Sequence, residues 1–323
     1  MAANYWDSTQ AKHWTYTRPE LTHLRNTLHP PTPNPTPTNK TPLPDPRHTS
    51  IYMQTHLTKL ARRLNLRQQA LATAQIYLKR FYLRVPLRKT NPYLLMATAL
   101  YLSCKMEETP QHIRLMLGEA ARQWPELGVT ETSKIGECEF ALISKLGSNL
   151  ILHHPYRALS DLQALFGLTP EEVQLAQSII NDSYNTDLPL LYAPHIIAIT
   201  AIFLAVVLRP ASSTNLNANT NPGLQAFSTS TSNAFPASSA SGTSTPSVTG
   251  TSAQNALAGF AGLRQAGPKL SKLVDWLAES QVAMEAIVDA TQEMVSLYEC
   301  WEGYSERSVK EGFTRFMREA GVK

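Results

Sequence analysis

Between Leu66 and Arg84 apolar side chains fall at helical spacing. Leu71, Ala74, Leu78, Phe81 and Tyr82 line one face, while Arg67, Gln68, Gln75 and Lys79 lie mainly on the other, which predicts an amphipathic helix. The run from His195 to Leu208 differs in being apolar nearly all round, so the helix it predicts has to be surrounded by others. Local signals fix where helices begin. Asn91-Pro92 supplies an N-cap followed by proline at the first helical position. Thr169-Pro170-Glu171-Glu172 adds the glutamate of a capping box, and Ala193-Pro194 opens the apolar run. No segment alternates with a period of two, so no sheet is expected.

Two stretches lack such patterning. His29 to Arg47 holds eight prolines, which fix φ and remove donors, so an extended tether is expected there. Pro210 to Leu263 contains no charged residue and is dominated by Ser, Thr, Asn, Ala and Gly. Its apolar content does not repay the entropy of ordering it, and a disordered insertion is expected.

An internal repeat sets the architecture. A shift of 102 residues lays Pro92 on Pro194, Thr98 on Thr200, Ala99 on Ala201, Tyr101 on Phe203 and Leu102 on Leu204. The same shift lays Ala74 on Ala176, Gln75 on Gln177 and Tyr82 on Tyr184. Each copy reads as an amphipathic helix, a proline-opened turn and a central apolar helix. The expectation is an all-α protein of two bundles, about five helices each, the second completed by helices between Lys269 and Tyr304.

Composition narrows the chemistry. The 323 residues carry a net charge of only +4. However, Pro46 to Met106 has no Asp or Glu, and Lys59, Arg62, Arg63, Arg67, Lys79, Arg80, Arg84, Arg88, Lys89 and Lys105 all fall there. Such a run meets nucleic acid or an acidic partner, or is a solvated helix face; the latter is favoured. Cys104, Cys138 and Cys300 are scattered, with no CxxC pair and no histidine at metal-ligand spacing. They read as reduced core thiols of a soluble intracellular protein. Met1 to Arg25 lacks the apolar core of a secretory signal, and no apolar run is long enough to span a bilayer. His153 and His154 fit a bundle junction or the surface. Asp182 and Asp187 read as local capping or turn carboxylates, and neither a paired acid–base site nor a phosphate loop is found.

Three motifs carry a family resemblance. Leu66 to Tyr82 resembles the second helix of a first cyclin box. Tyr93 to Glu108, ending in Lys105-Met106-Glu107-Glu108, resembles the third, and Gly136 to Leu146 resembles the fifth. Ala3 to Gln10, His154-Pro155-Tyr156-Arg157 and Ile180 to Asp187 are similar to the cyclin C type within that family. The resemblance implies two tandem five-helix cyclin boxes with an extra N-terminal helix and disordered insertions. The corresponding segments are an N-terminal kinase-contacting helix (1–27), a Pro-rich linker (28–48), a first box (49–150), a second box (151–305, with a disordered insertion at 210–266) and a C-terminal tail (306–323).

The resemblance also implies a non-catalytic subunit, without cofactor or metal, that activates a cyclin-dependent protein kinase. Its setting would be the Mediator kinase module, with that module's other subunits and the RNA polymerase II holoenzyme as partners. Such a protein works in the nucleus, in repression and activation, through phosphorylation of the polymerase tail and transcription factors, with no membrane and no direct nucleic-acid contact. Lys105 and Glu139 are the residues expected to hold backbone groups beside the kinase C-helix. The competing reading is an ion pair within the bundle. Val207 occupies the place equivalent to Lys105 in the second repeat, so the fold itself does not demand a lysine there. Tyr5, Trp6 and Trp14 are further candidate kinase contacts, against the alternative that a tryptophan packs back on the first bundle. Other readings are a different transcriptional cyclin, of the elongation or general-factor kinases, or a nucleic-acid-binding twin-box general transcription factor. The latter usually carries an N-terminal zinc ribbon, and there is no cysteine before Cys104.

Overall fold

A computed structural model describes residues 4–28, 45–208 and 268–319. The expected tether (apart from its ends), the whole insertion at 210–266 and the last four residues lie outside the described residues. Among those described, the regular elements are helices and no strand is present. The first bundle consists of α3 (Pro46–Arg63), α4 (Gln68–Tyr82), α5 (Pro92–Met106), α6 (Ile113–Gln123) and α7 (Thr132–Lys145). Two N-terminal helices precede it, α1 (Thr9–His13) and α2 (Arg18–Leu28). The second bundle comprises α8 (Pro155–Phe166), α9 (Pro170–Ser183), the short α10 (Leu188–Leu191), α11 (Pro194–Leu208), α12 (Pro268–Glu279) and α13 (Met284–Glu302). Helix α14 (Glu306–Glu319) closes the described chain.

The caps form as the sequence implies. Asn91 accepts from the amides of Tyr93 and Leu94 at the head of α5, and Thr169 with Glu172 completes both bonds of the capping box on α9. The repeat is visible in space: α5 and α11 have the same length and are offset by the same 102 residues. Thr98 and Thr200, and likewise Ala74 and Ala176, are all buried. Each central helix is enclosed by its bundle, as its lack of a polar face requires. The two cores meet: Ile51, Ala72 and Ile76 of the first bundle pack in the second cluster with Ile179, Ile180 and Ile202.

Two segments differ from expectation. Residues 306–323 were expected to be a tail, yet α14 is built from Val309, Phe313, Phe316 and Met317 at i, i+4, i+7 and i+8, and all four are buried. They join the first core beside Tyr52 and Tyr93, so the last described helix returns to the first bundle. Glu306 pairs with Lys59 at 2.6 Å and Lys310 with Glu126 at 3.1 Å on either side. The single N-terminal helix is instead broken at Trp14. Thr17 starts a new helix, its amide donating to Glu20 at 2.7 Å while its hydroxyl accepts from the Glu20 amide at 3.4 Å. This reciprocal pair favours a fresh N-terminus over continuation of α1.

Candidate functional site

The last turn of α5 delivers Lys105 to the surface, where its ammonium pairs with Glu139 of α7. The lysine is 41% exposed and the carboxylate 14%. The Lys105 nitrogen also sits 4.6 Å from the centroid of the Tyr101 ring, one turn back on α5, a cation–π distance. Next to Glu139, Phe140 is 77% exposed. A position five residues past the buried Ile135 and two before the buried Leu142 lies well over a quarter-turn off that stripe at about 100° per residue. Phe140 therefore points away from the core. The pair within the bundle, expected as the competing reading, is thus formed. It leaves an exposed ammonium against a largely covered carboxylate, with an uncovered aromatic ring at the next position of α7. Val207, at the equivalent place on α11, is exposed and apolar.

The first carboxylate of the Lys105-x-Glu107-Glu108 motif turns inward. Glu107 accepts from the Thr73 hydroxyl at 2.6 Å, and Thr73 in turn meets His154 Nε2 at 2.8 Å. His154 Nδ1 lies 2.9 Å from the Tyr184 hydroxyl, and Tyr156 donates to Asn181 at 2.8 Å. A polar chain thus crosses from the first bundle to the second. His154 belongs to the junction, as one of the sequence readings had it, and burial pushes its imidazole down to about 3, keeping it neutral. Among the described residues no His, Cys, Asp or Glu cluster is arranged to hold a metal ion.

The aromatic N-terminal candidates separate. Trp6 is 64% exposed and tilts against the His195 ring at 5.8 Å. Tyr5 is half-buried, its hydroxyl 3.1 Å from Thr15 and its ring edge-on to His153. Trp14 has no exposed surface and belongs to the first core. Arg80 and Arg84 approach its ring at 4.7 and 4.3 Å. Such a ring has no face left for a partner, so for Trp14 the packing alternative is the one the geometry supports. The segment is fastened a second time at the junction, where Gln10 accepts from the His153 amide at 2.7 Å and donates to the His153 carbonyl at 3.4 Å.

The basic run of the first bundle is largely spent inside the chain. Lys59 pairs with Glu306 and Arg63 with Glu119. Arg84 donates to the Lys145 carbonyl at the end of α7 at 2.8 Å, and Arg88 lies over Phe316. Arg80 is fully buried, and that burial lowers its guanidinium to about 9. Asp182 and Asp187 correct the local reading given to them. Asp182 accepts from Tyr298 of α13 at 3.2 Å, and Asp187 takes both guanidinium nitrogens of Arg25 at 2.7 Å. The forked Arg25–Asp187 contact ties α2 to the second bundle, a pairing invisible at a separation of 162 residues.

The geometry can be set beside known proteins. Residues 21–151 match the family described as the cyclin N-terminal domain. The RNA polymerase II holoenzyme cyclin-like subunit of Aspergillus fumigatus is 47% identical over 320 residues, covering 98% of both chains. The subunit of the same description from Neurospora crassa is 46% identical over 345 residues, covering all of this chain and 99% of the relative. Among solved structures, a chain of the CAK complex of Chaetomium thermophilum bound to ATP-gamma-S shares the fold. Its TM-score is 0.50 at 22% identity, over 62% of this chain and 68% of that one.

Proposed function

The chain belongs to the cyclin family, and from that premise we propose that it is the non-catalytic activating subunit of a cyclin-dependent kinase in the Mediator kinase module. Its place of work is the nucleus, on the RNA polymerase II holoenzyme, and its effects on transcription are both repressing and activating. The names of its near-full-length relatives support the polymerase setting. The observation that carries the kinase reading is the Lys105–Glu139 pair with its exposed ammonium, together with exposed Phe140 at the next position of α7.

The chemistry suits a helix-flank contact. An ammonium only donates and a carboxylate only accepts, so together they satisfy both kinds of backbone group at a partner's helix. Pairing with each other in the free chain holds both side chains near the binding geometry, which reduces the ordering cost on association. Phe140 adds a large apolar surface of the kind enriched at interface centres. Kinase activity requires the β3 lysine to meet the C-helix glutamate, and C-helix position controls that meeting. A subunit that binds only the active arrangement shifts the population; moving it from mostly off to mostly on takes about 5.5 kcal/mol of differential binding. Trp6 and Tyr5 lie at the bundle junction as a second contact, while the remaining surface of the second bundle serves other module subunits.

The test is purification of the tagged chain, identification of its co-purifying kinase, and phosphorylation of a polymerase-tail peptide with and without the chain. Lys105→Glu is expected to abolish association and stimulated activity while helical content stays unchanged. Unaltered association in that variant removes the proposed contact. Recovery of no kinase at all removes the function.

A further inference from the structure

A cavity of about 390 Å³ lies where α2, α3, α4, α10 with the loop before it, and α13 converge, and Glu293 of α13 is part of its wall. Its charged lining is not balanced internally. Arg25 is committed to Asp187, and Arg18 to Asp289 and Glu293. Among the described residues neither Lys79 nor Arg47, which also line it, is in an ion pair. The Lys79 ammonium has a neutral partner, the Ser50 hydroxyl, at a long 3.3 Å. Arg47 donates through Nη1 to the Ser296 hydroxyl at 2.7 Å, which leaves most of its fork unused. Lys79 is partly withdrawn from water, which disfavours its charged form, and it is pushed down to about 8 although Asp187 and Glu293 oppose the shift. An anion entering the cavity would reverse that penalty.

The size and walls indicate what carries the anion. The volume falls in the range of ligand pockets and far exceeds one phosphate group. Leu21, Leu190 and Leu191 supply apolar wall, so the ligand has carbon as well as charge. We propose that this cavity binds a phosphorylated threonine or serine presented on a peptide segment, with Lys79 and Arg47 taking the phosphate oxygens. A dianion with three acceptor oxygens can engage an ammonium and a guanidinium fork together, which a single hydroxyl cannot.

Two sources share this chemistry. One is a segment of a partner protein. The other is residues 29–44 of this chain, which join α2 to α3, both of which line the cavity. That segment has no Asp or Glu but contains Thr32-Pro33, Thr36-Pro37 and Thr41-Pro42. It is anionic only if modified.

The experiment uses the full unphosphorylated chain and fluorescence anisotropy, and needs no kinase. The probes are a labelled 29–44 peptide phosphorylated at Thr36, its unphosphorylated form, a scrambled phosphothreonine peptide of the same composition, and inorganic phosphate as competitor. The phosphorylated peptide is expected to bind at least 10-fold more tightly than the unphosphorylated one. Lys79→Met and Arg47→Gln are each expected to weaken it at least 10-fold, with unchanged urea-unfolding midpoints. Arg47 is exposed on the first turn of α3, so its variant stays informative if Lys79→Met does not fold. Preference for the 29–44 sequence over the scrambled peptide assigns the ligand to this chain; equal binding assigns it to a partner segment. Equal affinity with and without phosphate overturns the proposal. So does insensitivity to Arg47→Gln, or displacement by inorganic phosphate as effective as by the phosphopeptide itself.

Discussion

Lowering the pH from 7 to 5 should destabilise this fold by about 3 kcal/mol, and most of the effect traces to two buried imidazoles. His154 sits in the junction between Thr73 and Tyr184, with its pKa pushed down to about 3 by burial and by His153 and Arg80 nearby. His56 accepts from the Trp124 indole at 3.0 Å, and burial together with Lys59 lowers it to about 4. For both, the folded pKa lies below the ordinary 6.5. The unfolded chain therefore takes up a proton near pH 6.5 that the fold refuses until lower pH. Stability is fully present above 6.5 and is lost as pH falls toward the folded values. At about 1.4 kcal/mol per pH unit, the interval from 6.5 to 5 costs roughly 2 kcal/mol for each histidine. Asp182 works in the opposite sense. Burial raises its carboxyl to about 6, so protonation between pH 7 and 5 relieves a strain of roughly 1 kcal/mol. The measurement is urea unfolding at pH 7 and pH 5 for the native sequence and for His154→Gln, which keeps hydrogen-bonding capacity but cannot titrate. The native chain should lose about 3 kcal/mol and the variant about 1 kcal/mol. An identical pH-dependent loss in both would show that His154 is not neutral in the junction.

Two further outcomes rest on burial. Trp14→Ala should cost about 3–5 kcal/mol and loosen the N-terminal segment, read as a lower melting temperature and faster proteolysis ahead of α2. Trp6→Ala, at an exposed ring, should change stability by less than about 0.5 kcal/mol; equal effects of the two would contradict the split between them. Phe313→Ala should cost about 3–5 kcal/mol if α14 completes the first core, and a change within about 0.5 kcal/mol in urea unfolding would return that helix to the status of a tail.

What the sequence made legible was whatever is local or periodic. The caps at Asn91 and Thr169 and the proline-opened central helices depend on neighbours within a few positions, the repeat is periodic at 102 residues, and all appear in the fold. The stripe of α14 was equally available, since Val309, Phe313, Phe316 and Met317 stand at helical spacing, but a core contribution so far from the first bundle has no local signature. Phe140 was legible too, as an aromatic out of phase with Ile135 and Leu142. The fates of Trp6 and Trp14 were not. Both lie in a short polar segment without a repeating stripe. Only the three-dimensional placement of Arg80 and Arg84 beneath Trp14 distinguishes them. Asp187 and Arg25 escaped for the same reason: a forked ion pair across 162 residues leaves no trace in spacing.

The repeat also bears on why one end of the molecule is the better place for a partner. α5 and α11 are the same length and equally enclosed, so core packing does not distinguish their C-terminal turns. The first turn ends in a lysine held by Tyr101 and Glu139; the second ends in exposed Val207 and Leu208. With its ammonium exposed and its carboxylate largely covered, the ion pair contributes on the order of 1 kcal/mol to folding, too little for stability alone to account for a placed lysine, an oriented carboxylate and an uncovered phenylalanine together. A binding role gives all three a use at once. Replacing Lys105 by the valine of the second repeat tests that reasoning without adding an opposing charge. Lys105→Val should leave unfolding within about 1 kcal/mol of the native chain, whereas truncating one partner of a contact buried on association costs about 2–5 kcal/mol, a loss of at least 10-fold in kinase affinity. A variant that binds its kinase normally would place the contact elsewhere on the first bundle.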